Sequence, residues 1–353
     1  MAPGSPAVLR HEPVHSAWRS HLTAVIFALV VTVALVLFPE VLPTSFWVNT
    51  GILALLFASA AGGWNVLGGY TGQISFGNAV FFGTGAYTTA LLVRAGWSPW
   101  PTFLVGAGIA AAIGVAIGLP CFRLRSHYFA IATIAIGEIV NVVATSMGSL
   151  GGSSGLQLPL HATGLSTLQF SVRDPRPYYY LALVLFALVT LVTWLLVRAR
   201  TGIYLRSIRD NEQAAAACGV PVWRYKLIAV AVSAALTALP GSLYAMYVLF
   251  VDPSLVLDLS VSINIVLIAV LGGAGSLFGP LIGAWVLISL QEYTRVQLGG
   301  RNAGLDLLIF GVLIIAMVMV EPGGVSRLLA RVWAFLVDRF ARPGHPTISE
   351  PTS

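Results

Sequence analysis

The sequence predicts an all-α polytopic membrane protein with about 8–10 transmembrane helices, including broken or re-entrant segments. Three observations carry this reading. Hydrophobic residues make up 57% of the 353 residues and charged residues 9%, against roughly 25% charged in a soluble domain. The mean hydropathy is +0.87. Apolar runs near the ~20 residues needed to cross a bilayer recur along the whole chain.

The remaining composition narrows the setting. Cys121 and Cys218 fall at or beside basic, and so cytosolic, segments, which argues against a disulfide framework. The net charge of +6 comes from arginines in loops and tail. Orientation in the membrane accounts for it, with no nucleic-acid partner.

Residues 1–21 are polar, carry Arg10 and Arg19, and read as a cytoplasmic tail ahead of a permease domain spanning 22–325. Leu22–Phe38 is the first span, too far from the start and too uniform for a cleavable signal. The break at Phe38–Pro43 is poor in positive charge and lies outside. Thr50–Val93 follows, with one interruption rich in glycine and polar groups; then come Pro101–Leu119, a basic turn at Arg123–Arg125, and Tyr128–Thr145. Gly148–Pro177 is the longest extramembrane stretch on the outer side. Tyr178–Val197 returns to the cytoplasm, and Leu227–Phe250 leaves it again to end at Asp252.

Parity constrains the last third. The tail 326–353 carries Arg327, Arg331, Arg339 and Arg342 and belongs in the cytoplasm. An even number of crossings must therefore separate it from Lys226. Leu227–Phe250 and Leu305–Val320 supply two, so Ile263–Leu290 contributes none or two. Its centre, Leu271–Pro280, holds Gly272, Gly273, Gly275 and Gly279, which no straight helix favours. Two short half-helices resolve the count. The first interruption is similar in pattern: Gly68 and Gly69 precede Ser75 and Gly77, as Gly272 and Gly273 precede Ser276 and Gly279. Paired broken segments point to a substrate pathway, though glycines also simply let helices approach closely.

Two motifs mislead. His11-Glu-Pro-Val-His15 matches a zinc pattern that works only on a helix, and Pro13 prevents one. Gly151-Gly-Ser-Ser-Gly155 matches a hydrolase elbow, but it sits in a Gly/Ser-rich loop rather than between a strand and a helix. A P-loop requires Gly-Lys-Ser or Gly-Lys-Thr, and the single lysine, Lys226, stands between Tyr225 and Leu227. If ATP drives this chain, another subunit binds it.

The most informative stretch is the polar segment 198–226. It carries Arg198, Arg200, Arg206, Arg209, Arg224 and Lys226, the densest cationic run in the chain. Asn211 suits a helix N-cap, Glu212 sits in the first turn, and Ala214–Ala217 are strong helix formers. Gly219 and Pro221 stop the helix. A short capped helix with a smooth alanine face fits a groove on another protein better than it binds lipid.

Ala214, Ala215 and Gly219 in this spacing resemble the EAA loop of ABC importer permeases. Gly69–Tyr87, Arg123–Glu138, Gly151–Leu156, Val270–Pro280 and Glu321–Gly324 are similar, in order, to the motifs of Liv-type branched-chain amino acid permeases. The resemblance covers about residues 50–325, and the Arg-Leu-Arg-Ser-His-Tyr block from Arg123 to Tyr128 favours the M-type over the H-type subunit. It implies an importer of leucine, isoleucine and valine in a bacterial inner membrane, both termini cytoplasmic, with no cofactor on this chain and no enzymatic activity of its own. Its partners would be an H-type permease subunit, two ATPase subunits holding ATP and magnesium, an external solute-binding protein docking on 148–177, and membrane lipid.

ATPase coupling falls on Glu212, Gln213, Ala214, Ala215 and Gly219. Gln213 stands where the EAA pattern has its glutamate, so the contacting side chain stays open between Glu212 and Gln213. Pathway candidates are Gln73, Ser75, Asn78, Gly272, Gly273, Ser276 and Glu138, the acidic residue deep in an apolar span. Glu138 also reads as a helix-to-helix hydrogen-bonding group, with Asn141 or the polar groups of a neighbouring span as candidate partners. Related permeases carry urea or short amides, so substrate remains open, and a stand-alone channel or secondary transporter is the rival class.

Overall fold

The computed structural model describes residues 32–124, 126–160, 164–170, 174–298 and 311–312. The zinc-like pattern at His11, the start of the first span, Arg125, His161, all but 311–312 of the span Leu305–Val320, and the tail beyond it lie outside the described residues.

The described chain is helical almost throughout. Helix α1 (Thr32–Val41) leads into α2 (Ser45–Thr71), α3 (Asn78–Arg94), α4 (Pro99–Cys121) and α5 (Ser126–Ser146). After the long loop come α6 (Arg176–Arg198), α7 (Arg200–Asp210), α8 (Glu212–Ala217) and α9 (Val222–Val248). The last elements are α10 (Pro253–Val256), α11 (Leu259–Gly272) and α12 (Gly279–Leu298). Among the described residues, six helical stretches are long and apolar enough to cross a membrane: α2, α4, α5, α6, α9 and the continuous run α10–α11.

Helix α2 is the hub. Its 27 residues extend about 40 Å, and most of them are buried, packed largely against α6, α9, α11 and α12. Small residues make that possible. A Cβ at Gly63 would press on the Thr237 side chain and backbone of α9, and one at Gly51 on the ring of Tyr179 of α6. The same device closes α3 onto α9, where a Cβ at Gly85 would collide with the Ala238 carbonyl and one at Gly241 with the Phe82 carbonyl. Without a hydrophobic driving force between helices in lipid, such close backbone approach is a main source of packing energy.

The chain directions define two ends of the bundle. At one, the polar end, α2 finishes beside α7, and α11 gives way to α12. At the other, a two-stranded ribbon pairs β1 (Leu156–Gln157) with β2 (Phe250–Val251), tying the long loop to the end of α9. The Gly151–Gly155 stretch holds a short 3-10 turn, Gly152–Ser154, just after another at Gly148–Leu150; with positive φ at Gly151, Gly152 and Gly155, it is a turn rather than a nucleophile elbow.

Both interruptions fall where glycine and polar residues placed them, at residues 72–77 and 273–278. The half-helix expectation needs correction. Glu292 and Arg295 near the end of α12 share a cleft with Phe46 and Asn49 at the start of α2. So α12 runs from the polar end to the opposite one, and α10–α11 runs the other way. The two arms run antiparallel along the bundle rather than dipping in and out at one end. Charges late in α12 had shortened its hydropathic signature.

The reciprocal glycines make a direct prediction. Gly85→Ala should destabilise the detergent-solubilised protein by about 1–3 kcal/mol through overpacking. Gly108→Ala, on the outward face of α4 with open space around it, should be neutral or stabilising by up to about 1 kcal/mol. Thermal melts of the two variants make the comparison.

Candidate functional site

The two helix breaks and the polar segment meet at one end of the bundle. Non-helical backbone at membrane depth persists only where protein or water satisfies its polar groups. In the first break, Trp64 Nε1 donates to the Ser75 carbonyl at 2.8 Å, and the Phe76 N–H donates to Thr133 Oγ1 of α5 at 3.1 Å. The Ala79 N–H, at the start of α3, donates to Ser262 Oγ of α11 at 2.8 Å. Side chains from three other helical segments thus replace the missing ladder.

Asn65 does the same for the second break. Its buried amide accepts from the Gly275 N–H at 2.7 Å through Oδ1 and donates to the Ser276 carbonyl at 2.8 Å through Nδ2. A Cβ at Gly69, one turn further along α2, would collide with Asn65 Oδ1. Ser276 Oγ closes the loop on itself by donating to the Gly273 carbonyl at 2.7 Å. From the other side, Arg209 in the last turn of α7 donates through Nη1 to the Gly69 carbonyl at 2.7 Å. A Cβ at Gly275 would strike that same Nη1. Gly69 belongs to the last turn of α2, whose carbonyls lack helical partners, so a cation there also complements the helix dipole.

The polar segment folds as two helices separated by one extended residue, Asn211. Asn211 caps α8 as its side-chain chemistry demands, accepting from the Ala214 N–H at 3.0 Å. Gly219 adopts φ +84° just beyond the helix. Ala215 is buried and seats α8, whereas Gln213, Ala214, Ala216, Ala217 and Cys218 are exposed. Glu212 pairs with Lys226 of α9 at 2.7 Å; the lysine side chain is 5% exposed and its carboxylate partner 49%. The ammonium also lies 5.8 Å from the Phe122 ring. Glu212 therefore anchors α8, and Gln213 is the one of the two that faces outward.

The pathway candidates do not form one cluster. Ser75 lines a narrow cleft with Gly77, Phe81, Phe129, Thr133 and Val230, and the other six do not. Gln73 is buried, Gly272 lies against the Gly279 carbonyl, and Gly273 makes the turn at φ +107°. Asn78 is fully buried with neither amide atom hydrogen-bonded. Glu138 is exposed on the outer face of α5 beside Ile131, Ile139 and Val142, away from the interior of this chain's own bundle. Asn65, Arg209 and Lys226 carry the polar geometry of this end, and none was singled out as a site residue by sequence.

This fold and this end define a polytopic α-helical permease with a polar helical segment folded onto its bundle. The chain belongs to the family described as branched-chain amino acid transport system / permease component, which matches residues 44–318. It is 31% identical over 282 residues to the high-affinity branched-chain amino acid transport system permease protein LivM of Escherichia coli, covering 72% of this chain. It spans 66% of the length of that relative, just under two thirds. The probable branched-chain amino acid transport permease protein LivM of Methanocaldococcus jannaschii is 27% identical, over 63% of this chain and 69% of that one. LivH of Escherichia coli is 23% identical, over 79% of this chain and 94% of that one. No solved structure matches the chain.

The anchoring pair can be tested by stability. Breaking a buried pair by removing one partner costs about 3–5 kcal/mol, and the half-exposed carboxylate reduces this to about 1–2 kcal/mol through solvent screening. Glu212→Ala should therefore lower the thermal midpoint, and adding Lys226→Met, which removes the stranded charge, should restore most of the loss.

Proposed function

We propose that this chain is the M-type permease subunit of an ATP-driven importer of branched-chain amino acids in a bacterial inner membrane. Family membership and the LivM and LivH relatives support that reading. The observation that carries it is α8: a capped helix fastened to the bundle by Ala215 and Glu212, with Gln213, Ala214, Ala216 and Ala217 turned outward. Small side chains on an anchored helix make a surface that seats in a partner's groove.

In this reading the polar end is cytoplasmic, as are residues 1–21 and 326–353, and 22–325 forms the permease domain. Two ATPase subunits carry ATP and magnesium, one of them docked on α8. A second, H-type permease subunit completes the pathway, and a solute-binding protein docks on the loop 148–177. ATP-driven closure of the ATPases moves α8, and the bundle alternates between outward and inward access. This chain contributes no covalent chemistry. Gln73, Ser75, Asn78, Glu138, Gly272, Gly273 and Ser276 remain the candidates for the pathway between the permease subunits. Selectivity rests largely on the binding protein, so urea or a short amide is the alternative cargo.

Uptake of labelled leucine and labelled urea in source cells with and without the chain tests the substrate. Loss of leucine uptake alone is expected. Loss of urea uptake alone would replace the substrate and keep the architecture, and full uptake of leucine by the solitary chain without ATP would overturn the ATP-driven reading.

A further inference from the structure

Three segments that are remote in sequence meet within hydrogen-bonding distance at the polar end. The last two turns of α2 supply Asn65 and Gly69, the second break supplies Gly275 and Ser276, and α7 supplies Arg209. Arg209 lies three residues before the start of α8, and only Asp210 and Asn211 intervene. Leu205 and Ile208 of the same short helix are buried in the bundle, so α7 cannot move without carrying Arg209. At Gly69 and Gly275 there is no room for a Cβ: either one would collide with the Asn65 amide or the Arg209 guanidinium. Gly273 and Gly275 both hold positive φ, so the loop they flank can change conformation with little steric penalty.

We infer that Arg209 and Asn65 form the joint through which movement of α8 reaches the 273–278 loop, with Arg209 acting as a positioning residue through Gly69 and Gly275. The joint has the elements a transmission contact requires. It is contiguous, it is polar and so directional, and one of its sides is a glycine turn able to adopt a second arrangement. A plain C-terminal cap for α2 would need Arg209 and Gly69 alone. It would not need Asn65 to hold the Gly275–Ser276 backbone against the same point. The salt bridge from Glu212 to Lys226 serves the opposite task, fixing α8 to α9, whereas Arg209 bonds the last turn of α2 at Gly69 and packs its guanidinium against Gly275 of the break.

The inference rests on the proposed ATP-driven function, and the test separates the two. The assembled transporter, reconstituted in proteoliposomes with its binding protein, is assayed for labelled leucine uptake and for ATP hydrolysis. Arg209→Ala and Asn65→Leu should each lower uptake by about tenfold or more while changing hydrolysis by less than about threefold, so that more ATP is spent per leucine moved. The double variant should fall no further than the worse single, because both lesions open one joint. Equal loss of uptake and hydrolysis, multiplied losses in the double variant, or unchanged uptake in Arg209→Ala would overturn the inference. Co-elution of all subunits on gel filtration shows that each variant still folds and assembles. If the wild-type assembly itself shows no ATP-dependent leucine uptake, the functional reading fails, and hydrogen exchange then tests the joint. Arg209→Ala should speed exchange of the 273–276 amides by about tenfold or more, and an unchanged rate would overturn it.

Discussion

A bilayer offers no water to an unpaired peptide group, and each one left unsatisfied costs several kcal/mol. This chain breaks two of its helical runs, at 72–77 and 273–278, and the rest of the fold is arranged around satisfying what those breaks expose. Helix α2 carries most of that task. Within a little over one turn it presents Trp64 to the first break and Asn65 to the second, and then offers its own Gly69 carbonyl to Arg209. Small residues along α2 and on its neighbours let the helices come close enough for these side chains to reach. The packing is therefore subordinate to the polar network.

The network also explains why the polar segment stays folded on the bundle. Helix α7 is too short to be stable alone in water. It is held by Leu205 and Ile208 below and by Arg209 at its end, while α8 is held by Ala215 and by Glu212 on Lys226. What is left exposed is a face of alanines with Gln213 and Cys218 at its margins. A membrane protein that anchors a helix on one side and leaves the other smooth has built a handle. In the proposed function, the hand that grips it is a separate ATPase.

Much of this was legible in the sequence, and the parts that were not have a common cause. Helix positions follow from apolar run length, and the Asn211 cap and Gly219 stop follow from local backbone chemistry, so both could be placed without any tertiary information. The breaks were announced by their own glycines. The contacts that satisfy them were not: Asn65 reaches Gly275 across a separation of 210 residues, and Arg209 reaches Gly69 across 140. No local pattern marks a buried asparagine in a predominantly apolar helix as a clasp for a distant loop. Glu138 shows the complementary failure. An acidic residue in an apolar span reads as facing the bundle interior, but α5 turns Glu138 to its exposed face, a tertiary orientation that no local pattern encodes.

The proposed ATP-driven function depends above all on α8 being the surface that a separate ATPase grips, and the chain carries a built-in probe for it. Cys218 is exposed at the end of α8, while Cys121, the other cysteine, is buried. The direct measurement is the rate at which a polar thiol reagent modifies Cys218 in the chain alone and in the complex with its ATPase subunits. Strong protection in the complex, together with a cross-link from Cys218 to an ATPase through a short bifunctional reagent, is the predicted result. Equal modification rates with and without the ATPase, and no cross-link, would contradict it.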